Sequence, residues 1–138
     1  MAEIDLSDKI ERMAALEERI GITLSGLYAF IENDEIEDDD ENRSIKIYGD
    51  LKTRNEQTLP HNVRLIATVY DSSDRIIGAK DYDFLEEDFF CIETFGMTID
   101  ILKGSISKIR IYSNKNWYVV LFFLIHLLLI LLREFFLI

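Results

Sequence analysis

Residues 62–71 read NVRLIATVYD, and this stretch predicts the fold class of the chain. Every second position from Val63 is aliphatic, which gives Val63, Leu65, Ala67 and Val69. The positions between them are mixed in character and hold Arg64, Ile66, Thr68 and Tyr70. A strand places alternate side chains on opposite faces, so this spacing predicts a half-buried β-strand with one face against a core.

The next segment along the chain predicts the partner of this strand. RIIGAKDYDF (residues 75–84) follows the turn sequence DSSD, and the two runs are predicted to form a hairpin. Asp71 and Ser72 are side chains that hydrogen-bond the backbone of a tight turn. DFFCIETFGMTIDIL (residues 88–102) then predicts one long strand, or two strands with a bend at Gly96.

Two further segments repeat the same two-residue period. SIKIYGDLKT (residues 44–53) places Ile45 and Ile47 on one face, and ISKIRIY (residues 106–112) places Ile109 and Ile111 opposite Lys108 and Arg110. Five to seven short strands separated by turns are typical of an antiparallel β-sandwich. The sequence therefore predicts a mainly β domain over residues 44–115.

Residues 1–31 have a different pattern, with apolar residues at intervals of three and four. The stripe contains Ile10, Met13, Ile20, Leu24 and Leu27, and Glu17 interrupts it. Asp5 or Ser7 is a candidate N-cap and Gly21 a candidate C-cap, so a helix is predicted over about residues 6–20. The run ITLSGLYAFI (residues 22–31) predicts either a strand or a continuation of this helix.

The function of the N-terminal stripe is open between two hypotheses. In the first, the stripe packs on its own domain. In the second, it forms a short coiled coil or docks on a partner, and Ile10, Met13 and Ile20 are then the candidate partner-binding residues.

Residues 32–43 are predicted to form an acidic loop or linker, because eight of the ten residues from 32 to 41 are Asp or Glu. Blocks of like charge repel one another and remain solvated. Two functional alternatives are Ca²⁺ binding through carboxylate oxygens and docking of a basic partner, with Asp38, Asp39 and Asp40 as the candidate residues. The run lacks the glycine and the ordered ligand spacing of an EF-hand loop.

The order of the motifs in the β region resembles a known family. Gly49-Asp50-Leu51-Lys52 ends one strand, Asn62-Val63 begins the next, Val69-Tyr70-Asp71 ends it, and Arg75-Ile76-Ile77-Gly78 follows the turn. This order resembles the FxLYD-type immunoglobulin-like domains of bacterial proteins, over about residues 44–112. Asp74 stands where that family often has glycine. The resemblance implies an immunoglobulin-like β-sandwich that binds or spaces, and it implies no catalytic residues.

The tail, residues 116–138, is the most hydrophobic part of the chain. Between residues 117 and 132 only His126 is not apolar. Sixteen helical residues extend about 24 Å, against about 30 Å for the hydrocarbon core of a bilayer. The sequence predicts a helix that anchors the chain in a membrane, with the following anchor residues: Trp117, Tyr118, Leu121, Phe122, Phe123, Leu124, Ile125, Leu127, Leu128, Leu129, Ile130, Leu131 and Leu132. A buried element or oligomer interface, and a non-native extension, are the alternatives.

Charges near the tail predict an orientation. Residues 101–116 contain Lys103, Lys108, Arg110 and Lys115 and no acidic residue. Positive charge beside a membrane segment favours the cytoplasmic side. The N-terminal residues have no basic and apolar pattern of a secretory signal. The domain is therefore expected in the cytoplasm at a membrane surface, or as the alternative, free in the cytoplasm.

Composition and motifs favour a binding protein over an enzyme. The formal net charge of −11 repels nucleic acid and suits a basic protein partner. Cys91 lies among acidic and apolar residues, which favours a buried, unreactive thiol. Asp81 and Asp83 share a strand face, where solvated side chains are expected, and no phosphate loop or metal motif is present. We therefore predict a non-catalytic adaptor module with no cofactor, no metal and a possible homo-oligomeric state.

Overall fold

In the computed structural model, the described residues are 2–33, 43–54, 58–59, 61–102, 104–115 and 118–136. They form eight strands and two α-helices: β1 (Ala2–Asp5), β2 (Ile10–Arg12), α1 (Ala14–Ile20), β3 (Ile22–Asn33), β4 (Arg43–Thr53), β5 (Val63–Asp71), β6 (Ile76–Phe84), β7 (Ile92–Ile101), β8 (Ile106–Lys115) and α2 (Tyr118–Phe136). Short 3-10 turns lie at Ser7–Lys9 and Glu86–Asp88. The mainly β character predicted from the sequence is confirmed.

The strands form two four-stranded sheets. Sheet A has the order β1-β3-β4-β7 and sheet B has the order β2-β8-β5-β6. The short strand β2 pairs with β8 in parallel, and the other strand pairs among the described residues are antiparallel. The N-terminal residues therefore contribute an edge strand to each sheet.

One hydrophobic core lies between the sheets, and the alternation in the sequence predicts which side chains enter it. Val63, Leu65, Ala67 and Val69 of β5 are buried, as are Ile45 and Ile47 of β4 and Ile109 and Ile111 of β8. Aromatic rings join the two layers, because Phe84 of sheet B meets Phe95 of sheet A edge-on at 5.8 Å between ring centroids. Such edge-to-face pairs add to the stabilisation from apolar burial.

The hairpin predicted from residues 62–84 is confirmed. β5 and β6 pair from Val63↔Phe84 to Tyr70↔Ile76. Oδ1 of Asp71 accepts hydrogen bonds from the backbone N–H groups of Ser73 and Arg75, at 2.8 and 2.9 Å. β7 is continuous through Gly96, which decides between one strand and two.

The helix predicted over residues 6–20 is wrong in its first half. Only Ala14–Ile20 is helical, and the preceding residues form a 3-10 turn and β2. β2 pairs its backbone with β8, from Ile10↔Ile109 to Arg12↔Ile111. A partner about a hundred residues away therefore overrides the helical spacing of the side chains, because a strand edge offers hydrogen bonds that local periodicity does not reveal.

The end of α1 agrees with the prediction. Gly21 adopts a left-handed conformation with φ 86°, and its N–H donates to the carbonyls of Glu17 and Glu18. Glycine takes this conformation without the strain caused by a Cβ atom. Residues 22–31 then continue as β3, so the choice between strand and helix is settled in favour of the strand.

Glu17, which interrupts the apolar stripe, is a structural residue. Glu17 is 2% exposed. Arg12 makes two hydrogen bonds to its carboxylate, one of them 3.0 Å from Nε to Oε2, and the backbone N–H of Leu24 donates to Oε1 at 2.9 Å. A buried carboxylate is costly unless it is paired and hydrogen-bonded, and here both conditions are met. Glu17 thereby ties α1 to the start of β3 and to β2.

Candidate functional site

Helix α2 exposes large hydrophobic side chains in every direction. Residues 123–136 are all exposed, and the hydrophobic ones among them range from 45% at Leu132 to 82% at Phe136. Apart from His126, Arg133 and Glu134, all of them are large hydrophobic residues. Consecutive helical residues are separated by 100°, so a run of this kind leaves no polar face. The sheets do not cover residues 123–136 of α2, although burial of each such hydrophobic side chain is worth roughly 1.5–3 kcal/mol.

α2 contains 19 residues and extends about 28 Å. Within the described residues, no helix combines the length and apolarity needed to cross a membrane. Of the predicted anchor residues, Trp117 lies outside the described residues, and Tyr118, Leu121 and Phe122 are described only as part of the helical backbone.

The end of the two-sheet domain from which α2 leaves is called the α2 pole. The pairings Val63↔Lys115 and Val63↔Phe84 place the start of β5 and the end of β6 there, beside the end of β8. Tyr118 begins α2 three residues after Lys115, so the helix starts within about 10 Å of the sheet.

Hydrophobic side chains are also exposed at the α2 pole. Phe90 is 77% exposed and Leu85, in the same connection between β6 and β7, is partly exposed, whereas the neighbouring Phe89 is buried. Cys91 follows with φ 62°, a conformation that residues with a Cβ adopt at some cost. The thiol of Cys91 is in a residue of intermediate exposure, so the expectation of a buried cysteine is wrong. The reason is this turn, which keeps Cys91 out of the core.

A cavity of about 390 Å³ lies at the α2 pole between α1 and the end of β8. Its lining consists of Leu16, Arg19, Ile20, Ser113, Asn114 and Lys115. Ser113 is fully buried, and its Oγ has no hydrogen-bond partner among the described residues. A buried hydroxyl without a partner is uncommon in folded proteins. The sequence did not indicate this cavity, because α1 and β8 are far apart in the chain.

The outer face of sheet A carries a cluster of aromatic rings. Ring centroids are 5.2 Å apart between Tyr28 and Phe30 and 6.0 Å apart between Phe30 and Tyr48. Tyr28 and Tyr48 are exposed. The three residues are called the aromatic surface. A Cβ at Gly96 would meet the Tyr48 ring at 2.9 Å, so this ring lies over Gly96 of the neighbouring strand β7.

Carboxylates border the aromatic surface. The hydroxyl of Tyr28 donates to the carboxylate of Glu3, and this hydrogen bond raises the pKa of Tyr28 to about 12. Asp50 lies two residues beyond Tyr48 on the same face and accepts a hydrogen bond from Thr94 at 2.6 Å. Lys46 is the neighbouring cation on this face. The sequence pattern did not indicate this surface, because it left residues 22–31 open between a strand and a helix.

The outer face of sheet B is instead occupied by pairs of opposite charge. Arg64 bonds Asp83 at 2.9 Å and lies 3.9 Å from Asp81, which agrees with the expectation that these two acids are ordinary surface groups. Lys108 and Arg110 lie over the ring of Tyr70 at 4.9 and 5.3 Å from its centroid. The charges on this sheet are therefore largely satisfied within the domain.

The three candidate partner-binding residues of the N-terminal stripe differ in how deeply they are buried. Ile20 is buried and Ile10 packs against the core, while Met13 is half-buried. This placement fits the first hypothesis, in which the stripe packs on its own domain. Asp38, Asp39 and Asp40 lie outside the described residues. Within the described residues, no group of three or more His, Cys, Asp or Glu side chains is arranged to hold a metal ion.

Comparisons with known proteins give little further information. No family model matches the chain, and no curated protein matches its sequence. Among solved structures, it is similar to part of the crystal structure of a glycosyl hydrolase family 2 (GH2) member from Bacteroides cellulosilyticus DSM 14838. The identity is 9% and the TM-score 0.48, over 69% of this chain and 15% of that chain. At this identity and TM-score, the likeness does not indicate a shared fold or a shared activity.

Proposed function

We propose that the chain is a non-catalytic binding module that α2 holds at a membrane, with the two-sheet domain presented to a basic protein partner. The observation that carries the proposal is the exposure of hydrophobic side chains on all sides of α2. A lipid environment covers every side of a helix at once, whereas one face of a globular domain covers a stripe. The exposed Phe90 at the α2 pole supports the same contact, since it lies where the membrane surface would be.

The finer fold is part of this proposal, and we infer an immunoglobulin-like β-sandwich of the FxLYD type. The order β3-β4-β7 opposite β8-β5-β6 supports it, because the connections β4–β5, β6–β7 and β7–β8 each pass between the sheets as in a Greek key. β2 lies beside β8 at the edge of sheet B and runs parallel to it. This fold does not by itself define a function, so a binding role has to be argued from its surfaces.

We infer that the domain lies in the cytoplasm, and the cations at the α2 pole support this orientation. Lys115 and Arg19 lie there, and positive charge beside a membrane segment favours the cytoplasmic side. Lys108 and Arg110 are engaged with Tyr70 on sheet B, and Lys108 lies about 23 Å along the strand from Lys115. The orientation therefore depends chiefly on the two cations at the pole.

The aromatic surface is the proposed docking face for the partner. Aromatic rings attract Lys and Arg side chains through their negative faces, and carboxylates beside the rings add to this attraction. The net charge of −11 favours the approach of a basic segment. Binding of an oligo-arginine peptide should weaken in Tyr48→Ala, whereas Tyr112→Ala on sheet B is the matched control. Equal affinities of the two variants would exclude this face.

The anchor is tested by flotation with phosphatidylcholine vesicles, followed by alkaline extraction. The full chain should float and resist extraction, and a chain ending at Lys115 should remain at the bottom. The triple variant Leu124→Lys, Leu128→Lys and Leu131→Lys should lose flotation, whereas Leu→Ile at the same three positions should keep it. If the full chain does not float and is a discrete oligomer without detergent, α2 is an interface between subunits and the membrane proposal is wrong.

A further inference from the structure

The carboxylate of Asp50 lies beside the aromatic surface and is held in place there. Tyr48 and Asp50 are two residues apart on the same face of β4, which separates their Cα atoms by about 7 Å. The hydroxyl of Thr94, on the neighbouring strand β7, donates a hydrogen bond to Oδ1 of Asp50 at 2.6 Å. A carboxylate that is already oriented loses less conformational freedom when it binds a further group. This part of the face therefore offers an aromatic ring and an oriented anion side by side.

The Tyr48 ring is exposed and is flanked by different groups in the two directions along β4. Tyr48 is 45% exposed. The Phe30 ring, which is half-buried, is inclined at 26° to the Tyr48 ring, with 6.0 Å between the centroids. Phe30 pairs with Lys46, two residues before Tyr48, whereas Asp50 follows two residues after it. A group that contacts the exposed ring of Tyr48 is therefore within reach of the Asp50 carboxylate.

The charge of the outer face of sheet A suits a cation. Among the described side chains of this face, carboxylates outnumber cations, with Glu3, Asp5, Asp50 and Asp100 against Lys46 and Lys52. The net charge of −11 adds attraction of the same sign at longer range. The exposed faces of aromatic rings attract cations as well. A positively charged side chain of a partner is therefore complementary to this face.

The ring and the carboxylate place different demands on that cation. Stacking on Tyr48 uses the flat face of a group, and pairing with Asp50 uses N–H donors at its edge. The guanidinium group of arginine is planar, stacks on aromatic rings and carries five N–H donors in its plane, so it meets both demands at once. The ammonium group of lysine is a compact, strongly hydrated charge without a flat face. The arrangement therefore discriminates between two cations of equal charge.

We propose that the aromatic surface and Asp50 form an arginine-selective site, in which the guanidinium group of an arginine in the basic partner stacks on Tyr48 and pairs with the Asp50 carboxylate. The proposal rests on the docking face proposed above, and it specifies which residue of the partner that face recognises. A segment in which lysine supplies the positive charge is then a weaker partner than one of equal charge that contains arginine.

Three peptides of equal length test this selectivity on the full chain in neutral detergent. They are hexa-arginine, hexalysine and hexacitrulline, and the last keeps the planar shape of arginine without its charge. Hexa-arginine should bind about threefold more tightly than hexalysine, which is the size of effect expected for a cation on an exposed ring. Hexacitrulline should bind most weakly, because the face attracts charge. Isothermal titration calorimetry at physiological ionic strength measures the three affinities.

Variants of the ring and of the carboxylate assign the selectivity to this site. Tyr48→Ala and Asp50→Asn should each reduce the preference for hexa-arginine over hexalysine, whereas Tyr48→Phe retains the ring and should keep the preference. Asp100→Asn is the matched control for Asp50→Asn, because it removes one negative charge from the same face. Asp100 lies four residues along β7 from Gly96, the partner of Tyr48, and is therefore about 13 Å away.

The outcomes separate failure of this inference from failure of the docking face. Equal affinities of the natural chain for hexa-arginine and hexalysine, both weakened in Tyr48→Ala, would overturn the arginine selectivity and leave the docking face in place. Binding of neither peptide would exclude the docking face and this inference with it. A preference that persists in Tyr48→Ala would overturn the site. A preference that falls as much in Asp100→Asn as in Asp50→Asn would also overturn it, because it would show a diffuse effect of charge.

Discussion

The two-sheet domain and α2 are both rich in hydrophobic residues, yet only the domain covers its own. In the domain the apolar residues alternate with polar ones, so that each strand has one face to bury, and the two sheets bury these faces against each other. In α2 the apolar residues follow one another without a polar face, and their side chains are exposed from residue 123 to residue 136. The pattern of hydrophobic residues, more than their number, decides whether a segment is covered by its own chain.

The largest expected contrast compares one leucine from each region. Leu65→Ala should lower the free energy of unfolding by about 2–5 kcal/mol, because Leu65 is fully buried and its loss leaves a cavity. Leu128→Ala should leave the unfolding free energy of the domain unchanged, since Leu128 is exposed. Urea unfolding of both variants in neutral detergent measures the difference. An equal loss of stability would mean that α2 packs on the domain.

The second contrast concerns two neighbouring carboxylates. Glu17→Gln should cost about 2 kcal/mol of unfolding free energy, because it removes the charge that pairs with Arg12 in a buried setting. Glu18→Gln should cost little, since its ion pair with Arg54 is 3.7 Å long and solvent-exposed. Thermal unfolding followed by circular dichroism compares the two variants. If Glu17→Gln does not lower the free energy of unfolding, the domain tolerates an incompletely paired polar group.

The third contrast compares two strand glycines, and it tests how tightly the domain is closed. A Cβ at Gly78 would lie 2.9 Å from the backbone carbonyl oxygen of Asp100, and a backbone atom moves only with its strand. Gly78→Ala should therefore cost about 1–3 kcal/mol. Gly96→Ala should cost less, because the Tyr48 ring that it meets is at the surface and is free to move. Chemical denaturation gives both values, and the reverse order would contradict this account of the packing.

The smallest effect is a pH dependence at the β5–β6 turn. Two backbone hydrogen bonds hold the pKa of the Asp71 carboxyl group below its ordinary value. The N–H of Arg75 makes the larger contribution and the N–H of Ser73 the smaller one. A depressed pKa in the folded state means that the stabilisation is complete above the unfolded-state pKa of about 4 and is lost as the pH falls through the lower folded value. Asp71→Asn should therefore lose less stability than the natural chain between about pH 4 and pH 2. Parallel plots of unfolding free energy against pH for the two proteins would exclude a contribution from Asp71.

The spacing of apolar residues in the sequence predicts the strands β4 to β8 well and the N-terminal region poorly, for one physical reason. The strands β4 to β8 have a two-residue period that a sheet imposes directly, so Val63, Ile45 and Ile109 were correctly placed in the core. The stripe that contains Ile10 has helical spacing, yet β2 pairs with β8 because an open sheet edge was available there. Availability of an edge is a property of the folded chain and cannot be read from spacing.

The candidate sites also include one feature that the sequence predicts and others that only the tertiary structure reveals. The amino-acid sequence alone determined that residues after Lys115 form a hydrophobic segment, since composition is enough to identify one. Only the tertiary structure brought Arg19 of α1 beside Ser113 and Lys115 of β8, and only the pairing of β3 with β4 placed Tyr28 and Phe30 beside Tyr48. Local sequence determines periodicity and hydrophobicity, whereas a cavity or a surface cluster requires residues distant in the chain to be brought together by sheet pairing and helix packing.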